Sequence, residues 1–142
     1  MPGWTDTTET EILNHYFRTA TASKPTNEYI ALWIGDPTDP ASGGAEVTTT
    51  GTAYARQAVS VADASWSAPA DDGSGSQFIQ NTNAIVYADA TANYGTVTHF
   101  AVMSASTGGT MRASGALTTP RTINNGDLAP TFAAGALVIK QS

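Results

Sequence analysis

The chain contains no cysteine. That excludes a disulfide framework, a thiolate zinc site and a cysteine nucleophile. Charge is scarce as well: Asp, Glu, Lys and Arg make up 13% of the 142 residues, about half the usual share. Basic residues are the rarer kind, 6 Lys and Arg against 12 Asp and Glu, for a net charge of −6. The six (Arg18, Lys24, Arg56, Arg112, Arg121 and Lys140) are scattered along the chain, whereas a nucleic-acid groove needs them clustered to neutralise phosphates. No apolar stretch approaches the ~18 residues of a membrane span. The N-terminal segment, MPGWTDTTETEILNHYFR, lacks the basic region and apolar run of a secretory leader. The expectation is a soluble chain with neither a nucleic-acid nor a membrane partner.

What remains is Thr, Ser, Asn, Gln and Gly, a polar surface that suits strands and tight turns. One segment has helical spacing. Thr8 followed by Glu11 has the form of a capping box, and Ile12, Leu13, Tyr16, Phe17 and Ala20 fall on one face. This predicts a helix from about Glu9 to Ala20, stopped by Ser23-Lys24-Pro25-Thr26-Asn27. Ahead of it Pro2-Gly3-Trp4 forms a short arm that packs on its own domain or reaches a neighbour.

After residue 27 the period changes. Glu28-Tyr29-Ile30-Ala31-Leu32-Trp33-Ile34 is a near-continuous apolar run of β-formers and reads as a strand buried on both faces. Residues 35–44 (GDPTDPASGG) and 67–76 (SAPADDGSGS) are loops dense in turn formers. Further strands are expected at 54–61, around 78–79 and 84–87, at 96–103, at 111–117 after a Gly108-Gly109 turn, at 121–123, and at 136–139 after the Asn124-Asn125-Gly126-Asp127 turn. Residues 1–142 are expected to form one domain: an all-β antiparallel sandwich, jelly-roll-like, with a short N-terminal arm and one N-terminal α-helix within 1–22.

Residues that carry chemistry are few. His15 lies at the edge of the helical face and His99 lies inside a strand, where a hydrogen-bonded structural histidine is the plain reading. Asp36/Asp39 and Asp71/Asp72 sit in loops without the further oxygen ligands of a calcium site. No nucleophile elbow or phosphate loop occurs. No catalytic residue, cofactor or metal ligand is therefore assigned, and an enzyme is not expected. Tyr54-Ala55-Arg56-Gln57 stands out because an arginine in so uncharged a chain should pair with a carboxylate or with backbone carbonyls, inside the domain or across an interface.

Several segments in order carry a resemblance. They are Leu13-Asn14-His15-Tyr16-Phe17-Arg18, Tyr29-Ile30-Ala31-Leu32-Trp33, Gly35-Asp36-Pro37-Thr38, Gly43-Gly44-Ala45-Glu46-Val47 and Gly51-Thr52-Ala53-Tyr54-Ala55-Arg56-Gln57. Asn81-Thr82-Asn83-Ala84-Ile85, residues 90–100 (ATANYGTVTHF), Gly108-Gly109-Thr110-Met111, Gly126-Asp127 and residues 132–137 (FAAGAL) follow. Over about residues 8–139 the chain resembles small tailed-phage virion proteins. These are often labelled tail-fibre-like or minor structural proteins, and related small β-proteins serve as capsid decoration (cement) proteins.

The resemblance implies a virion component assembled in the host cytoplasm. At this length, without repeats or a stalk, the leading expectation is a capsid decoration protein that clamps the major capsid protein. It would self-associate as a homotrimer. The alternatives are a tail component (a short fibre or adaptor) and a lectin-like carbohydrate-binding module that stacks sugars on Trp33, Trp66, Tyr54 or Tyr94. Candidate interface residues are Trp4, Ile12, Tyr16, Phe17, Arg56 and Trp66, because buried aromatics and arginines dominate interface energetics.

Overall fold

The computed structural model describes residues 3–39 and 42–141. Pro2 of the expected arm and residues 40 and 41 of the expected loop lie outside these. The elements in chain order are β1 (Gly3–Trp4), α1 (Asp6–Phe17), β2 (Asn27–Ile34), β3 (Ala45–Glu46), β4 (Gln57–Ser60) and β5 (Ala70–Asp71). They continue with β6 (Gln77–Gln80), β7 (Ile85–Val86), β8 (Gly95–Met103), β9 (Met111–Ile123), β10 (Thr131–Phe132) and β11 (Val138–Gln141). The protein is mostly β, with antiparallel sheets and one helix near the N-terminus.

β2, β8 and β9 form the centre of a six-stranded sheet, ordered β1-β9-β8-β2-β3 with β4 also on β2. Two smaller assemblies, β11-β6-β5 and β10-β7, complete the fold. The apolar run in β2 divides by strand alternation. Ile30 and Leu32 point to the main core with Phe100, Val102, Ala113 and Leu137. Ala31 and Trp33 point to the opposite face with Ala101, Met103 and Met111. Both sets are buried, so β2 is covered on both faces as its composition predicts. Each large aliphatic or aromatic side chain removed from water here contributes roughly 1.5–3 kcal/mol.

The second face is closed by the loop after β2. Trp33 Nε1 donates to Gly43 O at 3.0 Å, Gly43 N donates to Pro37 O at 3.0 Å, and Pro37 is fully buried. Gly44 makes this return possible. Its φ is +57°, and a Cβ there would lie 2.5 Å from Ile34 O; only glycine tolerates both.

β9 runs through what the sequence divides into two strands and a connection. Its pairing with β8 slips twice, between the partners of Val97 and His99 and between those of Val102 and Met103. The first slip falls at Leu117–Pro120, where the proline has no N–H for a ladder. The second leaves Arg112 as an extra residue between Met111 and Ala113, and a bulge of this kind re-aims its side chain.

The helix differs from its expected bounds. It spans Asp6–Phe17 with Thr5 as N-cap, and its C-cap Arg18 is extended. The Thr8–Glu11 capping box does not form, because both side chains are drawn to β9. Thr8 Oγ1 donates to Arg112 O at 2.9 Å, and Glu11 pairs with Arg112 Nη1 at 2.8 Å. Thr5 is buried and also engages the bulge, through N–H to Arg112 O at 2.9 Å and Oγ1 to Met111 O at 2.7 Å. Asp39, from the loop after β2, accepts from Asp6 N at 2.7 Å and so caps the first turn from 33 residues away.

Candidate interaction surface

The helix that begins at the bulge buries none of its residues. Leu13, Tyr16 and Phe17, at i, i+3 and i+4, form one apolar stripe that is 58%, 73% and 81% exposed. Globular helices turn such a stripe inward; here the first two turns are fastened to β9 and the last turn projects. His15 does not extend the stripe. It meets Tyr16 edge to face, and its Nδ1 accepts from Ala22 N at 3.3 Å, which ties the following segment back to the helix. Ile12, one turn before Tyr16 at the edge of the stripe, is half-buried.

Beside the foot of the helix lies a groove of about 350 Å³, in the size range of binding pockets, roughly 300–1,000 Å³. Trp4 and Trp66 line it with Val61, Ile79 and Ile139, and Lys24 and Asp63 stand among its lining. Trp4 is held by β1 pairing with β9, opposite Ala113. Trp66 is held by an isolated bridge to Asn81 and by Nε1 donation to Ser60 O at 3.1 Å. Both aromatics are part-buried and rest on the core, so each contributes packing and a face to the groove.

Glu28 and Arg112 also line this groove. Arg112 Nε lies 2.9 Å from Glu28 Oε1, close enough for ionic attraction. It is not aligned as a hydrogen bond, and Arg112 Nε and Glu28 Oε2 are buried without a hydrogen-bond partner among the described residues. Burial pushes the Glu28 carboxyl above the usual range, Arg112 opposes this, and Glu11 adds to it. Composition did not single out these two residues as a site. The one visible sign was a carboxylate opening an otherwise apolar strand.

Arg56 is committed inside the chain. Its Nε and Nη2 donate to Glu46 Oε1 and Oε2 at 2.8 and 2.7 Å, and its Nη1 donates to Ala105 O and Gly108 O, both at 2.7 Å. Only 8% of its side chain is exposed. Tyr54 Oη donates to the same carboxylate at 2.9 Å and accepts from Leu32 N at 3.0 Å. The network clamps the β8–β9 turn to β2 and β3, and it removes Arg56 from the surface where an interface would need it.

The aromatics proposed for sugar stacking are mostly core. Trp33, Tyr54 and Tyr94 are 8%, 3% and 3% exposed, because the tyrosines pack together edge to face and Trp33 lies under the loop after β2. Trp66 alone of the four keeps a face in a groove. Asp72 and Asp36 are turn acceptors. Backbone N–H groups of Ser74 and Ser76, with Lys140, hold the Asp72 carboxyl below the usual range, and Thr38 N–H does the same for Asp36. Among the described residues no three His, Asp or Glu side chains converge as metal ligands, and no helix is long and apolar enough to cross a membrane.

One family model, described as Podophage GP4 fiber I protein gp80, matches residues 3–140. No curated protein matches the chain.

Proposed function

Because the chain belongs to the podophage GP4 fiber I protein gp80 family, we propose that it is a structural subunit of the tail-fibre apparatus of a tailed phage. Membership makes it a virion structural protein of a fibre family. The tail location, the partners and a role in binding instead of catalysis are the proposal.

The observation that carries it, beyond the match over nearly the whole chain, is the exposed Leu13–Tyr16–Phe17 stripe on a helix anchored to the β-domain. A projecting apolar helix is an attachment element: it gains most when a neighbouring virion subunit removes it from water. The fibre description favours the tail over the capsid-decoration role that the sequence put first, and the major capsid protein is correspondingly no longer the preferred partner.

The location is tested on purified particles with an antibody or gold label against this chain, together with its copy number on a quantitative gel. Label confined to the tail, at a small fraction of major-capsid abundance, is the expected result. Label spread over the shell at near-capsid abundance would overturn the proposal in favour of decoration.

A further inference from the structure

Away from the helix, β4 and β7 each have one paired edge and one open edge. β4 pairs with β2, and β7 pairs with β10. Val61 N donates to Thr26 O at 2.9 Å, just past the end of the β2–β4 ladder. Bonded and non-bonded positions alternate along an antiparallel pair. Val59 and Gln57 therefore bond to β2 as Val61 does, and Ala58 and Ser60 turn their N–H and C=O groups away from it. Tyr87 N donates to Pro130 O at 2.9 Å, and the same alternation turns the Val86 N–H and C=O away from β10.

These open edges meet at one cleft of about 240 Å³, lined by residues 57–60 and 83–86 with Ser65. Four consecutive residues line it from each side. Alternate residues would line a cleft over a sheet face, so this one runs along the strand edges. Val59 and Ile85 give it an apolar base that belongs to the main core. Ala58, Ser60 and Ala84 are small and exposed, which leaves the backbone within reach. No lining residue is charged. At one end the cleft is closed, where Thr82 N donates to Ser65 O at 3.0 Å and Trp66 Nε1 occupies Ser60 O. Proteins usually guard an open edge with lysine, proline, a bulge or a covering element. β9 carries β1 and contains Pro120, and β11 contains Lys140. β4, with the sequence QAVS and an unbroken register on β2, has no such guard within it.

We propose that this cleft receives an extended, uncharged segment of a partner polypeptide, which enters as a lone strand between β4 and β7. Its backbone pairs with the outward groups of Ala58 on one side and Val86 on the other, and so joins the main sheet to the β7–β10 pair. This is strand addition with two edges in place of one. Alternate side chains of the segment point onto Val59 and Ile85. Small or β-branched residues fit there, whereas an ionic one would be desolvated with no opposite charge. The β4 edge of a second copy does not fit, because it brings a whole sheet to a cleft that admits one strand. The site is the same wherever in the particle the chain sits.

An NMR titration of the isotope-labelled chain with a capped, uncharged peptide, acetyl-Thr-Val-Thr-Val-Thr-amide, tests it. The amides of Ala58, Ser60 and Val86 should shift together and half-saturate at about 1 mM, the strength that a few net peptide hydrogen bonds provide. Ala58→Pro removes the outward N–H and leaves the bonds to β2 in place, since an edge strand tolerates proline where its nitrogen faces out. It should weaken binding roughly tenfold or more. Ala84→Trp fills the cleft from an exposed position on the opposite wall and should do the same; it serves alone if the proline variant does not fold.

The same peptide N-methylated throughout lacks the donors and should not bind. The proposal is overturned if no shift appears at about five times the expected half-saturation. Unchanged affinity in the folded variants overturns it too, as does equal binding of the methylated peptide. So does a shift of the same three amides with protein concentration alone, which would mean edge-to-edge pairing of copies.

Discussion

Replacing Arg56 by methionine keeps most of the stem packing and removes the guanidinium. Four donations disappear, two to Glu46 and one each to Ala105 O and Gly108 O. The Glu46 carboxylate is left with Tyr54 Oη as its remaining partner in the network. Removing one member of a fully buried ion pair costs about 3–5 kcal/mol. Glu46 is 22% exposed, so water recovers part of its loss and the lower end applies, about 3 kcal/mol. For a domain of this size each kcal/mol moves Tm by about 4 °C, so the expected drop is roughly 12 °C.

Urea unfolding followed by far-UV circular dichroism and tryptophan fluorescence gives the free energy, and a thermal scan gives Tm. Hydrogen exchange adds a local readout: amides of the 104–110 turn should exchange faster in the variant, because Arg56 ties two of that turn's carbonyls to β3. Glu46→Gln in the Arg56→Met background should cost much less than it does alone, since the two residues act as one unit. A variant within ~0.5 kcal/mol of wild type, the spread of an ordinary surface substitution, would refute the reading of Arg56 as a clamp.

Two further outcomes follow from buried polar groups. Asn81 is 1% exposed, donates through Nδ2 to Asn83 O and Ala133 O, and accepts from Leu137 N. The near-isosteric Asn81→Asp sets a carboxylate against two carbonyls and should lower stability by about 3 kcal/mol in urea unfolding at neutral pH; an unchanged midpoint would contradict it.

Glu28 titrates above its usual range because burial disfavours the charged form. A carboxyl raised in the folded state stabilises fully below its unfolded pKa, and that stability is lost as pH rises through the folded value. Wild-type stability relative to Glu28→Gln should therefore fall as pH rises through the window that opens at the ordinary glutamate pKa, about 4.3. A difference that stays flat or rises over that window would count against a desolvated Glu28.

Much of the fold was legible because its signals are local. The β2 run, the alternation in β8 and the turn chemistry at Gly108-Gly109 and Asn124–Asp127 lie within a few residues of what they specify. The helix was legible in kind but not in bounds. The Thr8–Glu11 box has a local pattern, yet a β9 carbonyl and Arg112 compete for the same two side chains, and the tertiary contacts prevail. The candidate surface was half legible. Trp4, Tyr16, Phe17 and Trp66 could be selected as aromatics with interface chemistry, whereas Arg56, selected on the same ground, is consumed inside the chain. Three of the four sugar-stacking aromatics, Trp33, Tyr54 and Tyr94, are likewise taken into the interior, since composition does not say whether a ring faces water.

By itself the sequence determined an antiparallel β-protein with one N-terminal helix, low in charge and free of cysteine, and its ordered segments carried the resemblance to a phage virion family. Those properties depend on side-chain period and backbone preference, which act between neighbours in the chain. Only the tertiary structure decided that Arg112 sits on a bulge, that Glu28 lies against it, and that Trp4 and Trp66 frame one groove while the helix face stays outside. Those outcomes join residues tens to over a hundred positions apart. A single extra residue in one ladder re-aims a side chain, and no local pattern encodes which way it will point.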